Sequence, residues 1–286
     1  MAREVILKFG RDHGLFLASG LAFSLLLYAI PLALIMVSVL GYTVLESQQA
    51  MEEVQSVIRQ FLPKSEQLFA ENVETIVADR GLLGAVGFTL FVALSTTVFG
   101  FIRHVLNIVF EAGPGRSLLH GTAQDLLMLV FCVALLVVAI GLASLFAVVG
   151  NIGADFAGVA FLWGKGIRLI HRVTGVLLGG ILILGLYRFS PVKTLKVGSL
   201  AVGAGVAVAL FGFAKQAFAW YVQFAQTNIT LYGALGGFLF FFLWLYYASV
   251  LFVVGAEAAW VFEHRRTLTP GGAAMPEQAE PSVRKP

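Results

Sequence analysis

The 286 residues are 59% hydrophobic and only 12% charged, with a mean hydropathy of +0.89; soluble domains hold about a quarter charged residues, so a water-soluble globular fold is excluded. The net charge of +3 invites a nucleic-acid reading, but the 19 Lys and Arg are divided among the ends of apolar runs and build no basic groove. The single cysteine, Cys132, excludes an intramolecular disulfide and a cysteine metal site.

In chain order, Arg3, Lys8 and Arg11 precede an apolar run over residues 15–45 that is far longer than a cleavable signal segment, so it reads as a retained first span. Gly14, Ala18 and Ala22 form a small-residue packing stripe along it, and Pro31 is expected to kink it. Residues 46–80 carry seven acidic and three basic side chains, with apolar positions at helical spacing on either side of Pro63. They predict an extramembrane pair of short amphipathic helices, either a cap on the bundle or a lid. A second span covers about 82–104, followed by the turn residues Gly113, Pro114 and Gly115. Thr122 and Asp125 fit a capping box at the start of a third span over 123–150. A basic loop, with Lys165, Arg168, His171 and Arg172, leads to a short fourth span over 170–188, in which Gly175 and Gly179 are expected to let another helix come close. A fifth span runs over 197–225.

The sixth stretch, residues 231–262, holds one charged side chain, Glu257, and at about 1.5 Å per residue outruns a hydrocarbon core roughly 30 Å thick. Gly233 and Gly237 mark a packing face, and the mid-span Trp244, Tyr246 and Tyr247 are expected to pack or to line a cavity. The Pro-, Gly- and Ala-rich residues 267–286 read as a disordered tail.

Six spans place both termini on one side. With the N-terminus inside, twelve Lys and Arg fall in the cytoplasm, six outside and one, Lys215, in the membrane. The positive-inside rule therefore predicts cytoplasmic termini and an external 46–80 segment.

A charge inside a span is a functional hypothesis by default. Lys215 either snorkels toward Trp220 and Tyr221 or lines a polar cavity, where it meets an anionic headgroup. Glu257 reads as an interfacial ion pair with Arg103, Arg188 or Lys193, with a proton relay as the alternative. The five histidines show no metal-ligand spacing, and nucleotide, dinucleotide and nucleophile-elbow motifs are missing. No cofactor, metal or enzymatic chemistry is expected.

Residues 186–191, LYRFSP, together with Tyr232, Gly233, Leu235 and Gly236, then LWLY at 243–246 and GAE at 255–257, resemble the YihY/virulence factor BrkB family of bacterial inner-membrane proteins. Arg103, Asn107 and Glu111 match more weakly the family's Asn-containing end of the second span. Ile30 before Pro31 and the LSTTVFG of the second span depart from the family pattern. The resemblance implies an all-α polytopic protein of the cytoplasmic membrane with six transmembrane helices, and roles in envelope biology that include lipid movement. Together with the intramembrane charges Lys215 and Glu257, it makes Asn107, Arg103, Tyr232 and Arg188 the candidate functional residues. The family's older ribonuclease BN label is not supported, because the clustered His and Asp ligands of metal-dependent RNA hydrolysis are missing. The expected function is transporter-like, with membrane lipids or another amphiphile as partners and no nucleic acid. The alternative is a non-transporting scaffold that works with envelope proteins or as a homo-oligomer.

Overall fold

A computed structural model describes residues 1–46, 80–112, 118–154, 160–229 and 233–268. Among them there is no strand. Seven helices follow one another: α1 (Ala2–Arg11), α2 (Gly14–Glu46), α3 (Arg80–Val109), α4 (Leu118–Ala154), α5 (Ala160–Phe189), α6 (Val197–Ile229) and α7 (Gly233–Leu268). Six of these, α2 to α7, are long and apolar enough to cross a membrane. Their apolar residues fall on every side of the helix axis, as lipid and neighbouring helices both demand. The all-α, six-span expectation is met. The amphipathic 46–80 segment lies outside the described residues except for its ends, Glu46 and Arg80, and so does the tail beyond Leu268, up to which α7 stays helical. The loop expected before the fourth span is largely helix, since α5 starts at Ala160.

Each of the six spans packs on the next in sequence, and α7 returns to α2, so the six form a closed ring; α3 also touches α7 across it. The apolar core is confined to one end. It is built by Leu17 and Leu21 of α2, Val105 and Leu106 of α3, Met128 of α4, Tyr187 of α5, Leu200 and Ala207 of α6, and Val253 and Ala256 of α7. Because successive spans alternate in direction, all these segments meet at the end where α1 and the close of α7 lie, here called the terminal end. Ala18 and Ala22 are fully buried there, as the predicted small-residue stripe requires.

Two glycines make that end dense. A Cβ on Gly203 would stand 2.5 Å from the Gly255 carbonyl oxygen, and one on Gly255 would stand 2.6 Å from the Tyr187 hydroxyl. Backbone-to-backbone approach of α6 and α7 therefore needs a missing side chain at both positions. Gly175, Gly179 and Gly237 behave otherwise, because nothing lies within 4 Å of a Cβ added to any of them. The predicted close approach at Gly175 and Gly179 is corrected: they leave space.

The predicted N-terminal flank is a helix of its own. α1 buries Val5 and Lys8 against the bundle and leaves Ile6 and Leu7 exposed, an arrangement suited to lying along a membrane surface. It turns into α2 through His13, whose backbone is left-handed at φ 53.

Candidate functional site

Two polar features stand out against this apolar frame. One is a buried charge network at the terminal end; the other is a large cavity among the six spans.

The network begins where α3 stops. Glu111 adopts a left-handed φ of 50, and the Ala112 N–H donates to the Asn107 carbonyl while the Glu111 N–H donates to the Ile108 carbonyl. This is a Schellman ending, with Glu where glycine is usual. The last-turn carbonyl of Val109, left without a helical partner, accepts from Lys8 Nζ at 2.8 Å, and the negative end of the α3 dipole favours that ammonium. Lys8 also donates to Asp12, one turn along α1, and stands 2.9 Å from Glu257 Oε2 on α7. The approach to Glu257 is off the hydrogen-bonding direction, so both of its carboxylate oxygens lack an aligned donor although the charges touch. Lys8 is 5% exposed and Glu257 0%. Lys8 further sits 4.5 Å from the centre of the Trp260 ring, close enough for a cation–π attraction. Arg11 pairs with Glu111 at 2.7 Å, and Arg265 of α7 grips Glu4.

Asp12 lies just before the first span. Burial alone would raise its pKa, but hydrogen bonds from Lys8 and Arg11 outweigh that and hold it below the usual carboxylate value.

These positions correct two expectations. Glu257 does form an ion pair, but with Lys8 rather than Arg103, Arg188 or Lys193. Asp125 lies well inside α4, which starts at Leu118, so it cannot cap that helix; it pairs with Arg103 at 3.1 Å. Arg103 in turn lies over Gly121, where a Cβ would come within 2.7 Å of its guanidinium.

The LYRFSP stretch knits the terminal end together. Tyr187 is fully buried, donates its hydroxyl to the Phe252 carbonyl at 2.5 Å and meets Phe110 and Phe252 ring to ring. Arg188 donates to Thr194 at 2.8 Å. Gln124 donates to the Phe189 carbonyl, and Asn107 accepts from the Val192 N–H at 2.9 Å. Asn107, Arg103 and Arg188 thus hold helices to loops and to one another. Tyr232 lies outside the described residues.

The cavity has a volume of about 1040 Å³ and takes lining residues from all six spans. That is at the upper limit of the roughly 300–1,000 Å³ usual for small-molecule sites. Its walls are apolar for most of their length: Leu21 and Leu25 of α2, Leu182 and Leu186 of α5, Phe211 of α6 and Phe252 of α7. Gly175 and Gly179 of α5 and Gly212 of α6 face it, and the side chains they lack are part of its volume. Measured along α5 from Arg172 to Leu186, the lined stretch is about 21 Å long at 1.5 Å per residue. Three cationic or titratable side chains, His171, Arg172 and Lys215, gather at the end away from the termini, and the core around Tyr187 closes the other.

Lys215 is therefore a lining residue of the cavity, and its side chain is exposed. His171 and Arg172 read in the sequence only as loop charges. The signal for their role is that they precede the Gly175 and Gly179 face by one and two turns. Lys8 reads in the sequence only as a flanking charge, although Asp12, four residues on at the end of α1, is placed to pair with it. Among the described residues no three His, Cys, Asp or Glu side chains gather as metal ligands.

Comparison with known proteins agrees with this architecture. The UPF0761 membrane protein of Haemophilus influenzae strain 86-028NP is 24% identical over 242 residues, covering 85% of this chain and 87% of that protein. The UPF0761 membrane protein of Aeromonas salmonicida is 26% identical over 259 residues, covering 90% and 86%, and that of Pasteurella multocida is 25% identical over 232 residues, covering 80% and 70%. No solved structure matches the chain. The pattern of the family described as Virulence factor BrkB matches residues 5–280. Since that match takes in all six spans, the Tyr187 contacts and the Lys8–Glu257 pair, this chain is an integral membrane protein belonging to the virulence factor BrkB family.

Proposed function

We propose that this chain is a transporter-like protein of the bacterial cytoplasmic membrane that moves a lipid or another amphiphile, with both termini in the cytoplasm. The observation that carries the reading is the long apolar cavity among all six spans, with Arg172 and Lys215 among its lining away from the terminal end and the packed core around Tyr187 bounding it toward that end. A cavity of this size inside a membrane bundle suits a cargo with a hydrocarbon part, and the packed core that bounds it at the terminal end suits one state of an alternating cycle. The side assignment rests on the excess of Lys and Arg at the terminal end. No covalent chemistry is assigned to the chain.

The test is translocation of fluorescently labelled lipid in liposomes containing the purified protein. Transfer between leaflets faster than in empty vesicles is expected, and equal rates refute the proposal. A second reading, a non-transporting scaffold, draws on the terminal end itself, where buried ion pairs and the Gly203–Gly255 contact leave no path through the bilayer. Under that reading, wedging the terminal end open leaves translocation at the background rate.

A further inference from the structure

Among the described residues the cavity lining carries basic side chains and no carboxylate. Every carboxylate whose side chain is described belongs to the terminal end, where each has a basic partner: Glu4 with Arg265, Asp12 and Glu257 with Lys8, Glu111 with Arg11, Asp125 with Arg103 and Glu263 with Lys196. Arg172 and Lys215 share the cavity's other end, both exposed, and no carboxylate among the described residues stands within ion-pair distance of either. His171 beside them packs edge-on against Phe146 at 5.9 Å and so faces the same space. Charges at the end of an apolar cavity attract a counter-ion more strongly than in open water, because the surrounding hydrocarbon screens poorly. An arginine fork with a neighbouring ammonium matches the oxygens of a phosphate. Behind these groups the wall turns apolar, and glycines keep room where side chains would otherwise fill it.

We infer that the occupant is an anionic phospholipid, its phosphate held by Arg172 and Lys215 at the end away from the termini and an acyl chain laid along the Gly175, Gly179 and Gly212 face. The inference rests on the proposed lipid-handling role and adds the charge class and orientation of the cargo. Headgroup and tail are read by different residues. Arg172→Gln and Lys215→Gln remove the charges at the mouth, whereas Gly179→Leu fills the chain's place in a region where nothing lies within 4 Å of the added Cβ, so the fold has room for it.

The experiment measures bound lipid rather than transport. The protein is reconstituted in phosphatidylcholine nanodiscs containing a minor fraction of phosphatidylglycerol, extracted into mild detergent, and its retained lipids are counted by mass spectrometry. Wild-type protein is expected to enrich phosphatidylglycerol several-fold over its share of the disc. Each cation removed should cut the enrichment by about fivefold, the scale of one basic residue acting on anionic lipid. Gly179→Leu should reduce retention of both lipids. Soluble glycerol phosphate, which has the phosphate and no chains, should not displace the lipid.

Retention of the two lipids in their disc ratio overturns the inference, as does enrichment unaffected by the Arg172→Gln/Lys215→Gln pair. Displacement by glycerol phosphate at the concentration of the lipid assigns the site to a free phosphate and overturns it too. Selective retention without translocation leaves the inference standing and removes the transport role, while translocation without selectivity does the reverse.

Discussion

The Lys8–Glu257 pair yields a prediction about which partner can be lost at lower cost. Lys8 has three N–H bonds and three neighbours for them: the Val109 carbonyl, Asp12 and Glu257. Glu257 has no hydrogen-bonding partner and only one charge in contact, Lys8. Lys8→Met keeps an unbranched stem of similar length but strands a fully buried carboxylate and uncaps α3. Removing one member of a buried pair costs about 3–5 kcal/mol. Glu257→Gln leaves Lys8 with two acceptors and places a neutral amide where the carboxylate stood. Its cost should be near 1 kcal/mol, the scale of one hydrogen-bond exchange.

At roughly 2–4 °C per kcal/mol for a chain of this size, Lys8→Met should lower the unfolding midpoint by about 6–20 °C and Glu257→Gln by about 2–4 °C. The readout is thermal unfolding of each purified variant in the same detergent. The double variant should be more stable than the sum of the two losses predicts, because the stranded charge is gone, with a coupling of about 0.5–3 kcal/mol. A Glu257→Gln loss equal to or larger than that of Lys8→Met, or strict additivity, refutes the reasoning.

The same chemical change should act in opposite directions at two glycines. Gly203→Ala forces a Cβ against the Gly255 carbonyl and should cost about 1–3 kcal/mol, whereas Gly175→Ala enters open space and should gain up to about 1 kcal/mol from helix propensity; detergent unfolding of both variants checks the pair. Tyr187→Phe removes a buried hydroxyl bonded to the Phe252 carbonyl and should cost about 1 kcal/mol, with insertion into the membrane unchanged on fractionation. Asp12 has its folded pKa held below the ordinary carboxylate value by hydrogen bonds from Lys8 and Arg11, against the opposing effect of burial. Its contribution to stability is therefore complete above the unfolded value and is lost as pH falls through the folded one. Unfolding midpoints followed from pH 6 to pH 3 should drop at the acid end in wild type and drop less in Asp12→Asn.

Composition made the membrane class and the six spans legible, since runs such as 231–262 leave no soluble alternative. Lys215 as a cavity residue was one of two readings open at that stage, and neighbouring aromatics could not choose between them. The sequence offers Arg103, Arg188 and Lys193 at other span ends as partners for Glu257, because spacing says nothing about which end of a ring closes on which. α1 does that closing, and a ten-residue helix before a span looks like ordinary positive flanking charge. Gly175 and Gly179 misled for a different reason: a glycine pair in a span permits either a close helix or a void, and only the neighbours decide. Asp125 carried a local cap signature that its long-range pairing with Arg103 superseded.

The grip of Arg265 on Glu4 joins positions 261 residues apart in the sequence. α1 thus takes part of its contacts, the Glu4–Arg265 and Lys8–Glu257 pairs, from a helix that is inserted after every other span described. Without α7, Glu4 lacks Arg265, and Lys8 keeps only Asp12 and the Val109 carbonyl. Protein truncated after α6 should accordingly reach the membrane yet have its first ten residues cleaved faster by protease than those of the full chain, in which α1 is docked through Val5 and Lys8.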